Sequence, residues 1–208
     1  MIAYTPVDIS CKVPDHSLLV DYIEKNYITN LEQTYGYTSH LCAIASRNVI
    51  LDWQDANEIF ADHTGNELHF APGVTSMFPE LLDILYSLPY KEIIGMALSL
   101  HTNILESHRD EILNLGIYSP ERYNVLLSPH YEQDSFFICK EKHGEKHYPK
   151  ILKDYPIYAF NNNESYHGAD LVLDKRVILI CGGILDEQKH VDLINRSVEK
   201  FNNYVIRY

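Results

Sequence analysis

The chain reads as a mainly β protein with flanking helices, a sandwich or barrel in outline, and three observations carry that reading. Ile93 to Leu100, Tyr123 to Leu127, Ser135 to Cys139, Ile157 to Phe160 and Arg176 to Cys181 are short, largely apolar runs of strand length separated by polar turns. Helical periodicity brackets them at both ends of the chain. With 208 residues, 46% apolar and 22% charged, one sizeable core fits and two do not, so a single domain over 1–208 is expected, without disorder or linkers.

The N-terminal part, about 1–90, is helical and mixed. Leu18, Leu19, Tyr22, Ile23, Tyr27 and Leu31 recur at helical spacing between Asp15, a fitting N-cap, and Gly36, a fitting stop. From Ser39 to Phe70 the periodicity is poor; Val49 to Leu51 reads as a short strand and DHTGNEL (62–68) as a turn between extended pieces. A second helix follows, with Ser76 as N-cap, Pro79 in its first turn, Leu81, Leu82 and Leu85 on one face and Pro89 as terminator. The β core should occupy about 91–185. After Asp186, Val191, Ile194, Val198, Phe201 and Val205 predict a closing helix over about 186–205.

The formal net charge of −12, from 29 acidic and 17 basic residues, disfavours a grip on a nucleic-acid backbone and suits a small or cationic substrate. No basic start with an apolar run opens the chain, and no stretch approaches the roughly 18 apolar residues of a membrane helix. A cytoplasmic protein without membrane partners is expected. Cys11, Cys42, Cys139 and Cys181 are far apart and form no C-x-x-C, which predicts reduced, mostly buried thiols.

Chemistry gathers in LESHRDEI (105–112). Side chains two apart on a strand share a face, so His108 and Asp110 would point together into a barrel interior. Alone, H-x-D in a chain with eleven histidines also reads as exposed polar residues at a strand end. A third ligand is available in NNNESYHGADLVLDKRVILICGG (161–183), where His167 heads one extended piece and Arg176, nine residues later, opens the next after a turn at Asp174 and Lys175. A hairpin of that size would put the arginine on the neighbouring strand. An arginine leading into Val177 to Ile180 needs an anionic partner if buried, and a bound dicarboxylate would supply one. Two histidines and a carboxylate on one face of a metal are the arrangement of non-haem Fe(II) oxygenases.

Together, His108-x-Asp110, His167 and Arg176 resemble the H-x-D…H…R signature of Fe(II)/2-oxoglutarate-dependent oxygenases, whose core is a double-stranded β-helix (jelly-roll, cupin-like). Within that superfamily LPYKEIIGMALSLHTNILESHRDEI (88–112) and PERYNVLL (120–127) resemble the aspartyl/asparaginyl β-hydroxylase and bacterial proline-hydroxylase branch, over about residues 76 to 185. The chain departs from it at Asn124, where that branch usually carries histidine, and at Asn103, where it usually carries glycine. The resemblance implies that His108, Asp110 and His167 bind Fe(II) and that Arg176 grips the distal carboxylate of 2-oxoglutarate, helped by Arg122 and Asn124. It implies oxidative decarboxylation of 2-oxoglutarate with O2, giving succinate and carbon dioxide, coupled to hydroxylation of an amino acid, free or within a peptide or protein. Because Asp110 is retained, halogenation is disfavoured. The alternatives are an oxygenase acting on another small molecule or a nucleic-acid base, a non-catalytic metal- or ligand-binding β-helix protein, and a hydrolytic zinc enzyme.

Other patterns are weaker. Cys139, His143 and His147 are spaced by fours as a zinc face would need, but Gly144 and Pro149 favour a polar loop. His101, inside a strand, reads as a hydrogen-bonded structural residue. The 16 tyrosines and 7 phenylalanines have no basic stripe among them and suit packing rather than base stacking. No dinucleotide or P-loop motif is present, and no Ser-His-Asp grouping has motif support.

Overall fold

The computed structural model describes residues 1–26, 39–47, 67–109 and 121–208. Among them the chain forms, in order, β1 (Ile2–Pro6), α1 (His16–Asn26), β2 (Ser39–Ser46), β3 (His69–Phe70), α2 (Val74–Met77), α3 (Pro79–Ser87), β4 (Tyr90–His101), β5 (Leu105–His108), β6 (Glu121–Leu126), β7 (Phe136–Cys139), β8 (Ile157–Asn161), β9 (Tyr166–Ala169), β10 (Arg176–Leu185), α4 (Glu187–Lys200) and β11 (Ile206–Arg207). The protein is mainly β. An eight-stranded antiparallel sheet, ordered β11-β1-β8-β6-β10-β4-β2-β3, faces a three-stranded sheet, β5-β9-β7, in a β-sandwich-like arrangement.

Alternation along the strands explains why the large sheet is covered on both sides. In β10, Val177, Leu179 and Cys181 join Leu98, Leu100, Tyr123 and Val125 in a core capped by Leu19 and Ile23 of α1, Leu81, Ile84 and Leu85 of α3, and Leu193 and Ile194 of α4. On the other face Ile178 joins Leu126, Tyr158 and Phe160, and these pack against Phe136 and Ile138 of the small sheet. Register fixes the assignment: Ile178 stands opposite both Leu126 and Ser99, Ile180 opposite Asn124, and Arg176 opposite His101. Ser99, His101, Asn124 and Arg176 therefore belong to the interior face, between the sheets. In the small sheet, Gly168 lets β5 lie close: a Cβ there would collide with the Leu105 carbonyl oxygen and come within 2.7 Å of the Phe137 ring.

Several predicted elements change. β1 and β2 had no strand prediction, because each is apolar on both faces or mixed with hydroxyls and so lacks a clean period of two. The 76–89 helix is two helices: Gly73, at φ 81°, caps α2, and Phe78 caps α3, whose first turn begins with Pro79. The proline cannot donate to the preceding turn, so it starts a helix instead of sitting inside one. Ser76 is thus internal to α2 and donates to the Gly73 carbonyl, 3.0 Å. Asp186 does cap α4, accepting from the Lys189 amide at 3.2 Å, but the helix ends at Lys200, and Val205 falls after a 3₁₀ turn. The first predicted helix is realised over His16–Asn26; its continuation to Tyr35, the Val49 to Leu51 strand and most of the DHTGNEL turn lie outside the described residues. No helix among the described residues is long and apolar enough to cross a membrane.

Candidate metal and carboxylate site

His108 closes β5 and stands directly opposite His167 of β9. Their ring centres are 4.3 Å apart and their planes cross at 52°. His167 is buried and packs edge-on against Phe160, 4.9 Å between ring centres, with Phe136 further off. The Nδ1 of His108 lies 2.8 Å from the Glu106 carbonyl oxygen. A carbonyl can only accept, so Nδ1 carries a hydrogen and Nε2 is the nitrogen that would face an ion. This is the support a metal-binding histidine usually receives. Two imidazoles held about 2.1 Å from one ion, roughly at right angles, would set their ring centres about 4.5 Å apart. The observed pair fits that demand. Asp110, the third predicted ligand, lies outside the described residues; among those described, no three histidine, cysteine, aspartate or glutamate side chains are grouped to hold a metal. Cys139, His143 and His147 in particular are distributed over the end of β7, a turn and an isolated bridge to Ile138.

Arg176 is not on the strand beside His167, as a hairpin would have it. Asp174 and Lys175 adopt positive φ, 44° and 57°, and this left-handed pair turns the chain out of the small sheet and into the large one. Arg176 thereby begins β10 on the interior face, 4% exposed. Its anion comes from within the chain. Nε donates to Asp134 Oδ2 at 2.6 Å and Nη2 to Oδ1 at 3.3 Å, with only 5% of each side chain exposed. The pairing requirement that suggested a bound dicarboxylate is therefore met by Asp134. Burial pulls the guanidinium pKa down, but Asp134 and Tyr158 outweigh it and the net direction is up.

Around this pair sit other polar side chains. Tyr158 lies near Arg176, and burial holds its phenol above the ordinary range against the opposing pull of Arg176. Asn124 is 8% exposed, and its Oδ1 has no partner among the described residues. On β4, Ser99 Oγ and His101 Nε2 are 3.0 Å apart. Some of the His101 surface stays open, yet packing around the ring dominates: burial first, then the charges of Arg176 and His108, push its pKa down to about 3. The Arg122 backbone pairs with Phe160 on β8; its side chain is outside the described residues. A small open cleft, with about 10 Å³ of room, runs beside the ion pair, lined by Asp134, Arg176, Gln133, His130 and Leu173. That is the room of about one water molecule, so a carboxylate chain enters only if the side chains around the pair move.

The structure brings together His108 with His167, and Arg176 with Asn124, on the walls of one interior. Sequence reasoning missed Asp134 and Tyr158 and set His101 aside. For Asp134 a signal existed: the desolvation argument that demanded an anion for Arg176 applies equally to the chain's own carboxylates, and Asp134 stands just before an apolar strand. Neither the family models nor the curated proteins searched contain a match to this chain.

Proposed function

We propose that this protein is an Fe(II)- and 2-oxoglutarate-dependent dioxygenase that hydroxylates an amino acid, free or within a peptide or protein. The observation that carries the proposal is the cross-strand pair of His108 and His167, with Nδ1 of His108 held by the Glu106 carbonyl. Strand order supports a double-stranded β-helix as the finer description of the fold. From β4 to β10, with the His147 bridge as the fifth segment, the large sheet runs first, eighth, third, sixth and the small one second, seventh, fourth, fifth. That interleaving belongs to a jelly roll and sets both histidines on the smaller sheet.

When bound, Fe(II) with 2-oxoglutarate and O2 would supply the oxidant for C–H hydroxylation. The chain's own part is to hold and exclude. His108, His167 and Asp110 would fix the ion, with the Glu106 carbonyl locking the tautomer of His108. Arg176 would meet the distal carboxylate of the co-substrate, with Asn124 and Tyr158 beside it. Phe136 and Phe160 pack against His167 and keep water from that side of the pair.

One observation favours a second reading. Because Arg176 already has Asp134, it does not require a co-substrate, and a zinc hydrolase or a non-catalytic metal-binding β-helix protein would use the same histidines. Anaerobic titration of the Fe(II)-loaded protein with 2-oxoglutarate, followed by succinate analysis after admission of O2, separates the two. A visible charge-transfer band and succinate support the oxygenase; a bound metal with neither supports the alternative.

A further inference from the structure

We infer that Asp134 is an intramolecular competitor for the carboxylate site of Arg176, so that a dicarboxylate enters only as the Asp134 carboxylate leaves the guanidinium. The inference rests on the proposed reading of the site and names how that site is regulated. Its basis is the distribution of donors. A guanidinium offers five N–H groups in a fixed fork. Asp134 takes the Nε edge with both oxygens. A second carboxylate would arrive beside a carboxylate already there, in an interior that screens poorly, and like charges at that separation do not both stay.

The surroundings fit an exchange. Asp134 stands two residues ahead of β7, and its Oδ1 also accepts from the Phe136 amide at 3.0 Å, so the carboxylate is held by a short local turn rather than by a strand ladder. The cleft beside it already reaches Arg176. Asn124 Oδ1, across the same interior, adds a buried acceptor with no partner among the described residues, suited to a protonated or N–H group and not to a second anion. The occupant that matches Arg176 is thus a carboxylate that replaces Asp134.

Glutarate is the probe, because it carries two terminal carboxylates and lacks the keto group needed to chelate iron with its neighbour. Its affinity for the full-length wild-type protein is compared by calorimetry with Asp134→Asn and Asp134→Ser. Removing the competing charge should tighten glutarate roughly ten- to a hundredfold, the range a charge-assisted hydrogen bond spans. Equal or weaker binding by a variant with wild-type circular dichroism overturns the inference. Should neither variant fold, the wild type decides: the Phe136 amide resonance should shift saturably with glutarate as Oδ1 lets go, and an amide that stays fixed up to the solubility limit overturns it. The two readings fail differently. Succinate formation without tightening by the variants removes the competitor and keeps the oxygenase, whereas tightening without succinate from 2-oxoglutarate does the reverse.

Discussion

The two faces of the eight-stranded sheet are built from the same strands and are put to different use. On the helix-covered face β10 contributes Val177, Leu179 and Cys181, and β6 contributes Tyr123 and Val125, all 3% exposed or less. On the interior face the same two strands contribute Arg176 and Asn124 beside Ile178 and Leu126. Among the described residues, the buried side chains able to carry positive charge are Arg176 and His167, and both belong to the interior. Burying apolar area stabilises a fold without regard to partner, while burying an ion costs several kcal/mol unless a partner is built in. Alternation lets one strand do both, so stability and chemistry are separable residue by residue.

The largest test of that separation is removal of a histidine. His108→Ala or His167→Ala should abolish Fe(II) binding and turnover while leaving far-ultraviolet circular dichroism and the helix-face core intact. Retained metal affinity in either variant would strip the pair of its role. Next comes the ion pair. Arg176→Met leaves Asp134 buried without its cation and should cost about 3–5 kcal/mol in urea unfolding, together with loss of 2-oxoglutarate binding. In the double variant Arg176→Met/Asp134→Leu most of the stability should return and the binding should not. If the double variant is as unstable as the single one, the pair is not the source of the loss.

Leu179→Ala is the matching probe of the other face. Leu179 is fully buried against the helices, and its truncation should cost about 2–5 kcal/mol. Under conditions where the variant is fully folded, its affinity for metal and 2-oxoglutarate should equal that of the wild type. A large change in either affinity would mean that the two faces are coupled through the sheet.

Some of this was legible in the sequence. The five strand-length runs all became strands, since each is a short apolar run bounded by polar turns. His108 and His167, which the structure sets opposite each other, stood out because the H-x-D pattern at 108–110 and a histidine at the head of a second extended piece are local features. What the sequence could not show was which strands are neighbours: the turn at Asp174 and Lys175 passes between sheets, and no local signal separates that from a hairpin. For the same reason the choice of Asp134 among the chain's carboxylates was not local, since it stands 42 residues from Arg176. Helix boundaries failed where one residue has two uses, as at Phe78, which ends α2 and caps α3.

The smallest effect at neutral pH is the titration of His101, and it sharpens the comparison because it reports the interior face alone. In the folded protein burial, then Arg176 of β10 and His108 of β5, hold the ring neutral down to about pH 3, against an ordinary value of 6.5. Between those values the unfolded chain binds a proton that the folded chain refuses, so stability is undiminished above about pH 6.5 and falls as the pH is lowered towards 3. His101→Gln removes the titrating group and can still hydrogen-bond Ser99. Unfolding temperatures from pH 7 to pH 4.5, a range chosen to stay above the lowered carboxylates of Asp15, Asp170 and Asp186, should therefore fall less steeply for the variant than for the wild type. Parallel slopes would mean that the ring takes up its proton in the folded state, and that water and counter-ions reach an interior which the buried Arg176 and Asp134 pair otherwise describes as closed.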